Sequence, residues 1–465
     1  MSRLLVNSTS RMRSLAPNAR NTILPPSGPI LVLNRRRDFS TTPHRNIMNR
    51  MGFKRNELMV RDSIEALCAK FTNKYWQEHD QKEEYPAEFF AAIAKGGWLG
   101  IALPERLGGS GLGITEAVMM MQTIAESGAG MAGAQAIHGN IYATQPLAKF
   151  ASKEQEYIIS ECIAGTHRIC FGVTEPNTGL DTTRLRTVAE KKYADGTHTY
   201  SITGQKVWIT CAQVARRMLC LARTTPLEKS KKPSKELSLF CITLKQDTAG
   251  CYVRKIKKMG GRAVDANEVF FNNYVVPGNS LIGEENRGFD MVLHGMNAER
   301  CLLAGEALGL GYAALKKAAY YAQERIVFDR PIGMNQGIAH PLAKAYMNLE
   351  AAKLATYQAA RLYDKSKKDP TITQGQIGVL ANTAKYLAAE AAFTACERAV
   401  LTLGGMGYAQ EYDVERWLRE SLVPRIAPVS QEMIMNYISE KVLGLPKSYD
   451  RYIPKPVDAD AATDA

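Results

Sequence analysis

The feature that most constrains the fold is the spacing of apolar residues, which changes twice along the chain. From about residue 52 to 165, and again from about 286 to 445, apolar residues recur at the three- and four-residue spacing of helices. Between them, short apolar runs with aromatic residues and turn signals, as in HTYSITGQKVWIT, are typical of strands. We therefore predict an α+β protein with an N-terminal helical domain (46–165), a middle antiparallel β domain (166–285) and a C-terminal four-helix bundle (286–446).

The two ends of the chain differ from its body. Residues 1–50 contain nine Arg, no Lys and one acidic residue, which together contribute about +8 of the net charge of +13. An Arg-rich, acid-poor start that is also rich in Ser, Thr and Asn is typical of a mitochondrial transit peptide, whereas the alternative is a disordered basic arm. We place this transit peptide at residues 1–45 and predict a location in the mitochondrial matrix. Residues 447–465 are predicted to form a loose tail.

Several classes of site and partner are not indicated. The body of the chain is only mildly basic, which gives no reason to expect nucleic-acid binding, and no apolar run approaches the ~18 residues of a membrane span. The nine cysteines show no CxxC pair and the seven histidines no HExxH spacing, so we expect reduced thiols and no metal. The glycine cluster GLGYAAL (309–315) follows no strand, which does not support a Rossmann fold.

A glutamate interrupts the apolar stripe of a predicted helix. In HGMNAER (294–300), Glu299 falls near the face that carries Val292, Met296 and Leu303. Two interpretations are open: a buried ion pair or partly exposed edge, which the isolated pattern favours, and a catalytic base.

Two segments of the predicted β domain carry groups that suit a polar ligand. FGVTEPNTGLDTT (171–183) leaves a strand and forms a turn dense in hydroxyls and backbone donors. GQKVWIT (204–210) places Trp208 and Thr210 two residues apart, on the same face of a strand. Taken alone, FGVTEPNTGLDTT is equally consistent with a surface turn that carries many polar side chains. Trp208 and Thr210, taken alone, are most simply a core residue and a residue at the edge of the core.

Together with three later segments, these motifs resemble the acyl-CoA dehydrogenase family over residues 52–445. The later segments are ERIVFDRPIGMNQ (324–336), GGMGYAQEYDVERWLRE (404–420) and PVSQEMIMNYISE (428–440). The resemblance implies an acyl-CoA dehydrogenase-like fold and an enzyme that converts an acyl-CoA thioester to the 2-enoyl-CoA with FAD. It also implies electron transfer to an electron-transfer flavoprotein, and a role in fatty acid or branched-chain amino acid breakdown.

The family's FAD contacts can be carried over to matching positions. The resemblance implies that the Thr174 hydroxyl bonds the flavin ring, and that Trp208 and Thr210 pack on and bond to it. The remaining FAD contacts implied in this way are Phe171, Arg325, Gln336, Gly405, Ser430 and Glu432, with Ser430 where Thr is more usual. Because Arg325, Gln336 and Gly405 match residues that reach FAD on a neighbouring subunit, a homodimer or homotetramer is expected.

The resemblance also resolves the role expected of Glu299. The reaction needs a base for the proton α to the thioester carbonyl, and a hydride acceptor, flavin N5, at the β carbon. Most family members carry the base in a turn near the C-terminus, where this chain has Pro428. A second group, resembling isovaleryl- and long-chain enzymes, carries it on the first helix of the C-terminal domain in a pattern ending Glu-Arg, which MNAER matches. Glu299 is therefore the predicted base, and Glu306, two turns further on, is its competitor.

The substrate side departs from the family pattern in two places. Asn297 and Arg300 match positions near the substrate, but Leu180 replaces a serine that commonly contacts the CoA arm. Pro428 has no N–H, so the Val429 N–H or a shifted turn would have to polarise the thioester carbonyl. Two alternatives therefore remain: an acyl-CoA oxidase-like or flavin monooxygenase-like enzyme, and a weakly active acyl-CoA-binding flavoprotein. Chain length and branching of the acyl group are not indicated.

Overall fold

The computed structural model describes residues 47–194, 196–245 and 248–448. The predicted transit peptide lies outside these residues, as do residues 449–465 of the predicted tail. Over the described residues, the order is helices, then a sheet, then helices, as the two changes in apolar spacing predict.

The first segment is helical and is built around one buried helix. Its helices are α1 (Arg55–Cys68), α2 (Asn73–Lys82), α3 (Ala87–Lys95), α4 (Ile114–Ile124), α5 (Gly130–Tyr142), α6 (Thr144–Phe150) and α7 (Glu156–Ile163). Every residue of α4 except Glu116 is buried. The start of α5 is tied down because the Met131 N–H donates to the buried carboxylate of Glu420 at 2.7 Å. This contact fixes α5 against the C-terminal part of the chain.

The middle segment is one eight-stranded sheet. Its strands are β1 (Ile169–Gly172), β2 (Val188–Ala194), β3 (Thr197–Thr210), β4 (Arg217–Arg223), β5 (Leu237–Thr243), β6 (Cys251–Lys255), β7 (Ala266–Pro277) and β8 (Leu281–Ile282). The order across the sheet is β6-β7-β3-β2-β4-β5-β8, and β1 also pairs with β4.

Most of these pairings are antiparallel, as predicted, but two are parallel. β4 runs parallel to β1 along four residue pairs and to β2 at one pair, Val188 with Arg223. Parallel neighbours require a long crossover, and the chain between β1 and β4 supplies one because it contains the β2–β3 hairpin. This crossover begins with the loop that carries Thr174. The loop therefore leaves the sheet at the end of β1, the strand that runs parallel to β4.

The third segment is dominated by three long helices. Its elements are α8 (Gly288–Glu324), the hairpin β9 (Ile326–Val327) and β10 (Arg330–Pro331), α9 (Gln336–Ser366), α10 (Gln374–Leu403), α11 (Val414–Glu420), α12 (Val423–Ile426) and α13 (Gln431–Lys441). α8, α9 and α10 pack on one another, and α4 packs against α8 and α9. We predicted a four-helix bundle within this segment. The segment itself supplies three long helices, and the shorter α4 of the N-terminal segment packs against two of them, α8 and α9.

Small residues on α8 allow the close approach of α4. A Cβ on Gly309 would lie 2.1 Å from the Gln122 carbonyl oxygen, and one on Gly305 would lie 2.9 Å from that of Val118. Glycine is required at such contacts because any side chain would push the helices apart. Part of the GLGYAAL cluster therefore serves helix packing, consistent with the prediction that it is not a dinucleotide-binding motif.

All nine cysteines are buried free thiols. Over residues 47–448, apart from the three undescribed positions, no group of three His, Cys, Asp or Glu side chains is arranged to hold a metal ion. In the same residues, no helix combines the length and the apolar character that crossing a membrane requires.

Candidate active site

A cavity of about 290 Å³ lies between the sheet and the two helical segments. It is lined by α5, the end of β1 and its following loop, β3, α8 and the turn at Ala427 and Pro428. Five predicted site residues line it together: Phe171, Thr174, Trp208, Thr210 and Glu299. These residues come from three separate sequence motifs, so the fold brings together residues that were predicted to form one site.

The loop that carries Thr174 is anchored by a buried ion pair. The Lys206 ammonium, which is fully buried, lies 2.9 Å from Oε1 of Glu175 and also donates to the Val173 carbonyl at 3.1 Å. Two backbone N–H groups also donate to the Glu175 carboxylate, that of Thr187 to the same Oε1 and that of Arg186 to Oε2. Burial opposes ionisation of Glu175, but these partners outweigh it and hold the pKa of its carboxyl below the ordinary value.

A β-bulge directs Trp208 and Thr210 towards the cavity. Opposite β7, the register changes between Lys206 and Ile209, so that one extra residue is inserted into β3. As a result Lys206 and Ile209 are both buried, although they are three residues apart, while Trp208 and Thr210 are exposed. Trp208 also has a positive φ of 61°, a conformation that is uncommon for a non-glycine residue and often marks functional sites.

Glu299 is half-buried on α8 and faces this cavity. Burial is the largest influence on its carboxyl and raises its pKa above the ordinary value, against the opposing charges of His138 and Arg300. No side chain in the described part of the chain forms an ion pair or hydrogen bond with the carboxylate; the guanidinium of Arg300 donates instead to Asn297 at 3.0 Å. The ion-pair interpretation of Glu299 is therefore not supported by these contacts.

A second titratable pair lines the same cavity. Nδ1 of His138, on α5, lies 2.5 Å from Oε1 of Glu306, on α8. The Glu306 side chain is fully buried and that of His138 is 12% exposed. Burial alone would lower the pKa of His138, but the charge and hydrogen bond of Glu306 outweigh it and raise that pKa. From the sequence, Glu306 is predicted only as a rival base and His138 is not predicted at all; the only signal for His138 is a histidine within an apolar helix.

The turn before α13 closes one end of the cavity. Pro428 is part of the lining, whereas Ser430 and Glu432 are not. Ser430 is the N-cap of α13, and Glu432 is exposed in its first turn. The adjacent Val429 carbonyl accepts a 2.6 Å hydrogen bond from the ammonium of Lys385, on α10. Burial, reinforced by the charge of Arg300, lowers the pKa of Lys385 to about 8.

The three residues predicted to contact substrate lie outside the cavity lining. Leu180 is exposed in the loop after β1. The buried Asn297 side chain faces α10, where its amide donates to the backbone and side-chain oxygens of Gln374. Arg300 is held by Asn297. Asn297 therefore joins α8 to the start of α10, and Arg300 is fixed by Asn297 on the same helix.

The three predicted FAD contacts that were expected to reach a neighbouring subunit are exposed and lie away from the cavity. Arg325 follows the last residue of α8, Gln336 begins α9 and Gly405 follows α10. Exposed apolar side chains occur close to them in sequence, among them Phe328, Met334, Met406 and Tyr408.

The fold and this cavity are those of a three-part α-β-α dehydrogenase, and comparison with known proteins gives the family. Models for the N-terminal, middle and C-terminal domains of acyl-CoA dehydrogenase match residues 54–163, 170–274 and 286–443. The chain belongs to the acyl-CoA dehydrogenase family and is an FAD-dependent oxidoreductase of that class.

Three of the similar proteins illustrate the extent of the match. Acyl-CoA dehydrogenase FadE12 of Mycobacterium tuberculosis is 33% identical over 84% of this chain and 96% of its own length. Caffeyl-CoA reductase-Etf complex subunit CarC of Acetobacterium woodii is 31% identical over 84% of this chain and 100% of its own length. The solved structure of butyryl-CoA dehydrogenase from Megasphaera elsdenii is 26% identical, with a TM-score of 0.77 over 85% of this chain and 100% of that one.

The residues at the cavity fit FAD chemically. Trp208 is 58% exposed at the cavity wall, where a planar ring system would cover it. The hydroxyls of Thr174 and Thr210 lie on the same lining and can hydrogen-bond the polar edge of such a ring. These three residues would therefore hold the flavin beside Glu299.

Proposed function

We propose that this protein removes the α proton and β hydride of an acyl-CoA thioester, with Glu299 as the base, and forms the 2-enoyl-CoA. The observation that carries the proposal is the shared cavity, in which a half-buried carboxylate faces Thr174, Trp208 and Thr210. FAD, when bound, supplies the hydride acceptor.

Glu299 suits this role because its carboxylate has no competing partner. A carboxyl group whose pKa is raised by burial is a stronger proton acceptor than one in water. The α proton of a thioester is weakly acidic, so the carbonyl oxygen needs a hydrogen-bond donor as charge develops on it. Pro428 cannot donate, but no described residue accepts the Val429 N–H, and Lys385 holds that residue through its carbonyl. The Val429 N–H is our candidate donor.

Purified protein is expected to be yellow, to contain FAD and to lose its flavin colour when mixed with an acyl-CoA in the absence of oxygen. A panel of straight-chain and branched acyl-CoAs would identify the substrate, because pocket shape sets specificity at about 1–3 kcal/mol per methylene. A folded, FAD-loaded protein that no member of the panel bleaches would contradict the proposal. Hydrogen peroxide release in air would instead indicate the oxidase-like alternative.

The proposed partners are an electron-transfer flavoprotein and further copies of the chain. The first is supported by the relative CarC, which is named as a subunit of a complex with Etf. The second is supported by exposed apolar residues on the long helices: Met347 and Leu354, which are 61% and 70% exposed, lie two turns apart on α9. A homodimer or homotetramer would cover such a face.

The proposed location is the mitochondrial matrix, with loss of roughly the first 40 residues on import. The Arg-rich, acid-poor composition of residues 1–50 supports this proposal. N-terminal sequencing of the protein isolated from its native cells is expected to begin near residue 40. Mature protein that still begins at Met1 or Ser2 would count against cleavage.

A further inference from the structure

The His138–Glu306 pair has no role in the proposed reaction, although it lines the reaction cavity. The pair joins α5 to α8 across a sequence separation of 168 residues. Placing ionisable groups in a helix core is costly unless they are paired, and an apolar pair of similar volume is often equally stable. Its position in the cavity points to a ligand-binding role.

Glu306 lies further along α8 than the proposed base, Glu299. Glu306 follows Glu299 by seven residues on α8, which is about 10 Å along the helix on nearly the same face. Thr174, Trp208 and Thr210 lie with Glu299 on the shared lining. A thioester whose α carbon faces Glu299 could therefore extend its acyl chain along α8 to reach His138, several carbons from the carbonyl.

The contacts define what His138 can offer to such a chain. Its Nδ1 is engaged by Glu306, and no described residue hydrogen-bonds its Nε2. Glu306 raises the pKa of His138, which favours the imidazole with both nitrogens protonated, and in that form Nε2–H is a donor. A neutral oxygen on the chain would accept this hydrogen bond, whereas a carboxylate would be placed close to Glu306 and Glu299.

We infer that the natural acyl group carries a hydroxyl several carbons beyond the β carbon, and that His138 Nε2 donates a hydrogen bond to it. Glu306 is the positioning residue, because its carboxylate fixes the orientation and the proton of the imidazole. The inference rests on the proposed function, since it assumes that an acyl-CoA occupies the cavity.

The test compares pairs of acyl-CoAs of the same chain length, one without and one with a hydroxyl. Across the series, the hydroxyl is placed at the γ carbon and then one carbon further out at a time. For the wild type, one hydroxyl position is expected to raise kcat/KM by about 10- to 100-fold over the plain chain, mainly through KM, as for a hydrogen bond to a charged donor. The double variant His138→Leu with Glu306→Leu, which leaves no unpaired buried charge, is expected to lose that preference while still oxidising the plain chain.

The control is Leu303→Met, which changes another side chain of the same lining at similar volume and is expected to keep the hydroxyl preference. No preferred hydroxyl position in the wild type would overturn the inference, as would a preference that survives in the double variant. If the double variant fails to fold, the wild-type series alone decides. Failure of every compound, plain or hydroxylated, to reduce the flavin would count against the proposed function instead.

Discussion

Glu299→Gln is expected to keep the fold and FAD while slowing enoyl-CoA formation by roughly 10²–10⁴-fold, the usual contribution of a positioned acid-base group. The amide is nearly isosteric with the carboxylate, and Glu299 makes no described hydrogen bond or ion pair whose loss would disturb packing. An amide cannot accept the α proton as a carboxylate can, so the chemical step itself should slow. Steady-state turnover with a saturating electron acceptor, together with FAD content, measures this effect.

Glu306→Gln is the matched control for this substitution. Glu306 lies on the same helix and lines the same cavity, but its carboxylate is engaged by His138 and is fully buried. We expect a milder loss of turnover than for Glu299→Gln. A large loss in Glu306→Gln with nearly full activity in Glu299→Gln would identify Glu306 as the base.

Lys206→Met is expected to lower the free energy of unfolding by about 3–5 kcal/mol, because it leaves the Glu175 carboxylate buried without its counter-charge. The loop that carries Thr174 should lose its anchor as well, so FAD should dissociate more readily. Urea unfolding of the FAD-loaded protein, followed alongside flavin release, measures both effects.

Two further variants test whether the loss of stability in Lys206→Met comes from breaking the Lys206–Glu175 ion pair. Adding Glu175→Gln to Lys206→Met removes the unpaired charge and is expected to restore part of the lost stability. Lys257→Met removes a lysine that is 80% exposed and paired with Glu83, where an effect of about 0–1 kcal/mol is expected. Equal stability of Lys206→Met and Lys257→Met would contradict the role assigned to the buried pair.

The sequence alone was sufficient to predict the features that depend on the local spacing of apolar residues. The order of helices and strands follows from apolar periodicity, and Glu299 was identifiable because it interrupts a stripe on a long helix. The family resemblance then supplied Thr174, Trp208 and Thr210, which line one cavity with Glu299.

Other features depend on contacts that local spacing does not encode. A regular strand would place Trp208 on the same face as Lys206, which is buried together with Tyr200 and Ile202; only the bulge in β3 turns Trp208 out of the core. The parallel pairing of β1 with β4 depends on a crossover, and strand patterns do not specify it. His138 and Glu306 are separated by 168 residues, so neither helix alone predicts their contact.

The central claim is that Glu299 removes the α proton in the step that reduces the flavin. Anaerobic rapid mixing of an acyl-CoA with the wild type and with Glu299→Gln, both loaded with FAD, tests it in a single turnover that needs no electron acceptor. The account predicts fast loss of flavin colour in the wild type and almost none in Glu299→Gln on the same timescale. Loss of colour at the wild-type rate in Glu299→Gln would contradict it.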